Sequence, residues 1–181
     1  MKSKFLIAYK LPEKAAELAE SISADVSSAC GVVDPHRRIP PHATLKSPFR
    51  ANQKQINSLK GKLKEFVENK QEGEIALSGF DHFNKRVLYL DIEASIEVRK
   101  IVDTLTETLK SINWLTLGVH DQHIVLHTTV ARAQSVAEWK EIWSYLQENY
   151  NPNVKMNFNS ISLLQLNTTD NNWETSNEFN L

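Results

Sequence analysis

The chain has 181 residues, a formal net charge of -1, an apolar fraction of 41% and a charged fraction of 24%. These values describe an ordinary water-soluble chain, long enough for one sizeable core or two small lobes sharing one. They exclude a bulk basic field for gripping long nucleic acid, while a local patch can still hold a nucleic-acid end or a small phosphorylated ligand.

The opening MKSKFLIAYKLPEK carries only a short apolar run, Phe5 to Ala8, too short for a signal peptide or a membrane span. The run KFLIAYK (4–10) reads as a strand. Pro12 and Glu13 suit the start of a helix whose face carries Ala15, Leu18, Ala19, Ile22, Val26 and Ala29. Cys30 is the one cysteine, so there is no intrachain disulfide, and a reducing, cytoplasmic compartment is expected. A proline-broken loop, GVVDPHRRIPP (31–41), leads to a strand HATLKSPF (42–49). Asn52 and Gln55 form a capping pair for a helix with Ile56, Leu59, Leu63, Phe66 and Val67 on one side. EIALSGFDHF (74–83) and RVLYLDIEA (86–94) read as strands, and Ser95 caps a helix with Val98, Ile101, Val102, Leu105, Leu109 and Ile112. HIVLHTTVARA (123–133) reads as a strand, and Ser135 with Glu138 forms a capping box for a helix with Val136, Trp139, Trp143, Leu146 and Tyr150, a stripe most simply read as core. Two strands close the chain, near 154–167 and 173–180, around a polar turn at Thr168 to Asn172.

The order of elements restarts half-way. First strands, first helices, histidine-bearing strands and second helices recur at a near-constant offset of about 81 to 85 residues, the signature of a duplicated β-α-β-α-β unit. The fold expected is therefore α+β and bilobal, one domain over 1–181 with one lobe near 1–83 and the other near 84–181, chain ends crossing between them if needed.

The register that aligns the halves also aligns HATL (42–45) with HTTV (127–130). Both read His, any residue, Thr, apolar. Alternation along a strand puts His42 and Thr44 on one face, and His127 and Thr129 on one face. Opposed across a cleft, two imidazoles suit acid-base chemistry near neutral pH, and two threonine hydroxyls suit a tetrahedral anion such as phosphate. A metal reading competes for HDQHIVLHTTVAR, where His120, His123 and His127 would share one helical face. The density of β-branched residues argues for a strand instead, on which His123 and His127 lie about 13 Å apart, too far for one ion. His127 alone of the three has a counterpart in the other half. No metal or other cofactor is expected.

The two H-x-T-apolar strands resemble the signature of the 2H (two-histidine) phosphoesterase superfamily, and within it the 2'-5' RNA ligase / RNA 2',3'-cyclic phosphodiesterase group. KFLIAYKLP resembles that group's opening strand, PPHATLKSPF its first motif, FNKRVLYLDIEAS its central strand and LHTTVAR its second motif with a trailing arginine. Val130 stands where leucine is usual, and KSPF is closer to less characterised branches. The resemblance implies two antiparallel sheets meeting in a V-shaped cleft with helices outside, His42 and His127 as acid and base, and Thr44 and Thr129 on the phosphate. It implies substrates such as RNA ends with 2',3'-cyclic phosphates, 2'-5' linkages or small cyclic phosphates of nucleotides and ADP-ribose; apart from the resemblance, a monomer with no membrane partner is the simple expectation. A binding module that holds an RNA end with little turnover is the alternative from another class.

Weaker candidates surround these four. Lys46, i+4 from His42, can reach a phosphate oxygen or stay solvated. Arg132 points away from His127 by simple alternation and needs a strand end or bulge to reach the cleft. Phe49 and Trp114 can stack on a base or pack in the core. His36, Arg37 and Arg38 precede the first motif and can touch phosphate or ribose, or lie in a solvated loop. His82, His120 and His123 read as structural or surface residues.

Overall fold

A computed structural model describes residues 2–181. In chain order its elements are β1 (Ser3–Lys10), α1 (Glu13–Cys30), a 3₁₀ turn (Pro35–Arg37), β2 (His42–Ala51), α2 (Gln53–Val67), β3 (Gly73–Phe83), β4 (Val87–Ala94), α3 (Ile96–Lys110), a second 3₁₀ turn (Val119–Asp121), β5 (His127–Arg132), α4 (Val136–Asn149), β6 (Asn153–Phe158), β7 (Ser160–Leu166) and β8 (Trp173–Asn180).

The helix starts follow local chemistry. Asn52 accepts from the Gln55 backbone N–H and the Gln55 side chain accepts from the Asn52 N–H, a full capping box. Ser95 and Ser135 each accept from the backbone N–H three residues on. Helix α1 ends at Gly31, whose φ of 70° is the left-handed conformation that terminates helices.

Two four-stranded antiparallel sheets result, ordered β2-β1-β7-β8 and β5-β4-β3-β6. Each histidine-bearing strand is thus the edge of its sheet, beside the first strand of its own unit. Strands of each half lie in the sheet that holds the other half's first strand. β3, from the first unit, pairs with β4; β7, from the second, pairs with β1. The sheets therefore do not divide at 83/84, because β3 and β7 each need an apolar neighbour on an open edge and the other unit supplies it. One continuous cluster of buried side chains, from Ile7 and Tyr9 to Leu90 and Phe158, runs through both sheets and packs on the helices. The Tyr9 hydroxyl donates to the Asn157 carbonyl at 2.8 Å, joining the two sheets directly.

Two element boundaries and one buried face differ from expectation. β5 begins at His127, so His123, Ile124 and Val125 lie in the loop before it. The segment 154–167 is two strands, β6 and β7, separated at Asn159. Trp139 and Trp143 stack on one another and on the His82 edge, half-buried, while Ile142 and Leu146 are the buried residues of α4. None of the described helices is long and apolar enough to cross a membrane.

Candidate active site

A pocket of about 550 Å³ opens between the two sheets, lined by both edge strands. His42, Thr44, His127 and Thr129 all line it, together with Pro48, Arg132, Gln134, Glu138, Leu6, Val33, His36, Ile39 and Trp173. The four residues of the duplicated motif are thus brought to one cavity, as is Arg132.

Each imidazole is fixed in the same way. His42 Nδ1 lies 2.8 Å from the Pro40 carbonyl oxygen, and His127 Nδ1 lies 2.7 Å from the Val125 carbonyl oxygen. A carbonyl only accepts, so each Nδ1 carries the proton and donates. In the neutral ring Nε2 then holds the free lone pair, and it is the nitrogen left for the pocket. The same i−2 anchor on both strands gives two equivalent bases facing one space.

Burial disfavours the charged form of both rings. Burial pushes the His42 imidazole down to about 4; the Pro40 carbonyl opposes this, and His36 and His127 add to it. Burial also lowers His127; the Val125 carbonyl opposes, Arg132 lowers it further and Asp91 opposes. An anion between them reverses the balance, because negative charge favours the imidazolium.

The backbone does something to both motifs that alternation alone does not foresee. On β2, Ala8 pairs with Thr44 and Ile7 with Lys46, leaving Leu45 as an extra residue. On β5, Tyr89 pairs with Thr129 and Leu88 with Ala131, leaving Val130 extra. Each strand thus bulges at the apolar residue after the threonine. Past the bulge the faces exchange. Arg132 turns into the pocket lining, and Lys46 turns into the interior.

Lys46 is consequently a correction. Its side chain is 3% exposed, its Nζ is 2.9 Å from Asp121 Oδ2, and it donates to the Ser47 carbonyl at 3.0 Å. Asp121 also accepts from the Ser47 N–H and hydroxyl at 2.7 and 2.6 Å and from the Gly118 N–H at 2.7 Å. A lysine already spent on a buried carboxylate is not free for a phosphate. Phe49 is a second correction. It packs on Phe5 and Trp114 and under Lys46 Nζ, outside the pocket lining. Trp114 goes with it. His36 lines the pocket and its Nε2 is buried without a partner, whereas Arg37 and Arg38 are exposed and off the lining. His120 and His123 lie outside the pocket lining, and His82 packs edge-on against the stacked Trp139 and Trp143.

Sequence reasoning missed the two aromatic rings that pack on His127. Phe83 meets it edge-on at 4.9 Å between centroids and Tyr89 lies at 4.8 Å. Tyr89 was legible as a cross-strand neighbour of Thr129; Phe83 was not, because its position depends on the β3–β4 hairpin, whose Asn84 and Lys85 both adopt positive φ. Trp173, at the far end of the chain, was missed as well.

Comparison with known proteins agrees with this geometry. The family model described as the 2'-5' RNA ligase superfamily matches residues 11–170. The chain belongs to the 2'-5' RNA ligase superfamily. A Geobacillus kaustophilus protein named "Putative phosphoesterase" is 30% identical over 111 residues, which are 60% of this chain and 61% of that one. The match thus spans about three fifths of the relative's length. Among solved structures, TT0787 of Thermus thermophilus superposes with a TM-score of 0.69 at 17% identity, covering 98% of this chain and 97% of that one. LigT of Escherichia coli, complexed with 3'-AMP, superposes with a TM-score of 0.65 at 12% identity, covering 100% and 99%. These two likenesses establish the superfamily's fold, two antiparallel sheets enclosing the cleft.

Proposed function

We propose that this superfamily member is a metal-independent phosphodiesterase that opens a 2',3'-cyclic phosphate, on an RNA end or a nucleotide, by two-histidine acid-base catalysis. The observation that carries the reading is the matched pair His42 and His127, each pinned through Nδ1 to the carbonyl two residues before it and each lining one pocket. One Nε2 takes a proton from the attacking water as its oxygen bonds to phosphorus. The other, protonated, gives its proton to the departing ribose oxygen as the P–O bond breaks. The Thr44 and Thr129 hydroxyls and the Arg132 guanidinium hold the non-bridging oxygens, whose charge grows in the transition state. The resemblance seen in the sequence favours a 2'-phosphate product. With the 5'-hydroxyl of a second RNA in place of water, the same groups open the cyclic phosphate to a 2'-5' linkage as the P–O3' bond breaks, and the reverse step cleaves that linkage. That LigT has been crystallised with 3'-AMP and with phosphate supports a nucleotide-type ligand.

The test is turnover of nucleoside 2',3'-cyclic monophosphates, and of a short RNA ending in a cyclic phosphate, with EDTA present throughout. Unchanged turnover in EDTA is expected, with a loss of roughly 10² to 10⁴ in kcat for His42→Ala or His127→Ala. The double variant is expected to be little worse than either single one, since acid and base act as a unit. Activity that survives both substitutions would overturn the mechanism. Tight binding without turnover would favour a binding module.

A further inference from the structure

The pocket is larger and less polar than a phosphate needs. Its volume of about 550 Å³ exceeds several-fold the space of a phosphate group, itself a few times the roughly 30 Å³ share of one water. The surplus is not polar. Apart from the main core there is a second apolar cluster, Leu6, Ala8 and Leu164, with Ile39 and Trp173 packed over it. It lies on the face of the first sheet that carries the motif, because Ala8 pairs with Thr44 and Leu6 lies two residues along β1. Leu6, Ile39 and Trp173 from this cluster also line the pocket. Trp173 is the one Trp, Phe or Tyr among the described lining residues. It is held from three directions. Its backbone N–H donates to the Arg38 carbonyl at 2.8 Å, its strand pairs with β7, and Lys4 Nζ lies 5.7 Å from its ring centroid.

A flat apolar wall, in one cavity with a phosphate-binding pair, suits a phosphate carrying an aromatic heterocycle. We propose that Leu6, Ile39 and Trp173 form a nucleobase subsite in which Trp173 stacks on the base of the nucleotide whose phosphate lies between His42 and His127. This rests on the reading of the pocket as a phosphoester site and adds which part of the substrate sets affinity. Stacking is tolerant of base identity, so the subsite demands a base without choosing one strongly. The charged residues of the lining are Arg132 and Glu138; beside this wall, His36 contacts the Ile39 carbonyl and Lys4 Nζ stands over the Trp173 ring.

Binding separates this inference from catalysis. Calorimetric titration would compare adenosine 2'-monophosphate with the 2-phosphate of methyl β-D-ribofuranoside, in which a methoxy group replaces the base. The unaltered protein is expected to prefer the nucleotide by tenfold or more. In Trp173→Leu, which keeps an apolar side chain on Leu6 and Leu164, that preference is expected to shrink towards one; in Trp173→Phe most of it remains. Circular dichroism melts would confirm that both variants fold. Equal affinity of the unaltered protein for the two phosphates would overturn the subsite. So would a full nucleotide preference in Trp173→Leu. If the preference tracks Trp173 but no cyclic phosphate is turned over, the subsite stands and the proposed hydrolysis falls.

Discussion

The two motif strands carry the same chemistry on different supports. β2 and β5 share the carbonyl-anchored histidine, the threonine and the bulge at the next apolar residue. After the bulge they diverge. In the first half the inward residue is Lys46 and the next is Ser47, both bound to Asp121 from the loop before β5. In the second half the inward residue is Ala131 and the next is Arg132, which lines the pocket. One half thus uses its polar residues to fasten β2 to the loop before β5, and the other leaves its cation on the pocket lining. The two halves repeat the histidine, the threonine and the bulge, and differ in the residues that follow.

The largest expected effect breaks the fastening. Asp121→Ala leaves Lys46 buried and unpaired, and a loss of about 3–5 kcal/mol in unfolding free energy is expected from urea denaturation. Combining Lys46→Met with Asp121→Leu is expected to cost less than either alone, because no charge is then stranded. Burial pushes the Asp121 carboxyl up, but the hydrogen bonds from Ser47, Lys46 and Gly118 outweigh it and hold it below the usual carboxylate range. A depressed acid stabilises the fold above its unfolded pKa and stops doing so as pH falls through its folded one. The gap between the unaltered protein and Asp121→Asn should therefore narrow below about pH 4. A cost under 1 kcal/mol for Asp121→Ala would remove this difference between the halves.

Why the sequence revealed one half of this contrast and not the other is a matter of range. His42, Thr44, His127 and Thr129 were legible because the chemistry repeats in register, and a repeat needs no knowledge of packing. The Lys46 reading failed because strict alternation has no place for a bulge, and a bulge shows only in the pairing with β1. The same device rescued Arg132, for which a bulge was the stated requirement. Asp121 and Ser47 are 74 residues apart, so nothing local announces their contact. The exchange of β3 and β7 escaped for the same reason: an alternating apolar strand fits either sheet, and the choice is made by which edge is open.

The next effect concerns the open cation. Arg132→Gln is expected to lower kcat/KM by about tenfold, the value of one charge-assisted contact to a phosphate oxygen. It should also be visible without substrate. Arg132 helps keep His127 unprotonated, so removing it should let the ring hold its proton to higher pH. An NMR titration of the His127 ring should then move upward, while Asp91→Asn, which removes a negative neighbour, should move it downward. No shift in either variant would mean that Arg132 does not face His127 in solution, and the two halves would be more alike than described.

The smallest effect tests how each imidazole is aimed. His127 packs against a pair of mutually contacting rings, Phe83 and Tyr89, while His42 has the Pro40 carbonyl and the half-buried His36 beside it. An edge-on aromatic contact of this kind contributes about 0.5–1.5 kcal/mol beyond its area. Much of that is retained if Phe83→Leu still fills the space, but the ring then turns more freely about the axis that its Nδ1 bond leaves open. A fall of about three-fold in kcat with KM unchanged is expected, since binding needs the phosphate contacts and only proton transfer needs the aimed Nε2. His36→Leu is the matching change in the first half. It removes a ring that lowers His42, so its signature is an upward move of the His42 titration from its low value near 4. If Phe83→Leu instead raised KM and left kcat alone, the aromatic pair would belong to substrate binding, and the second half would hold the ligand by its rings as well as by Arg132.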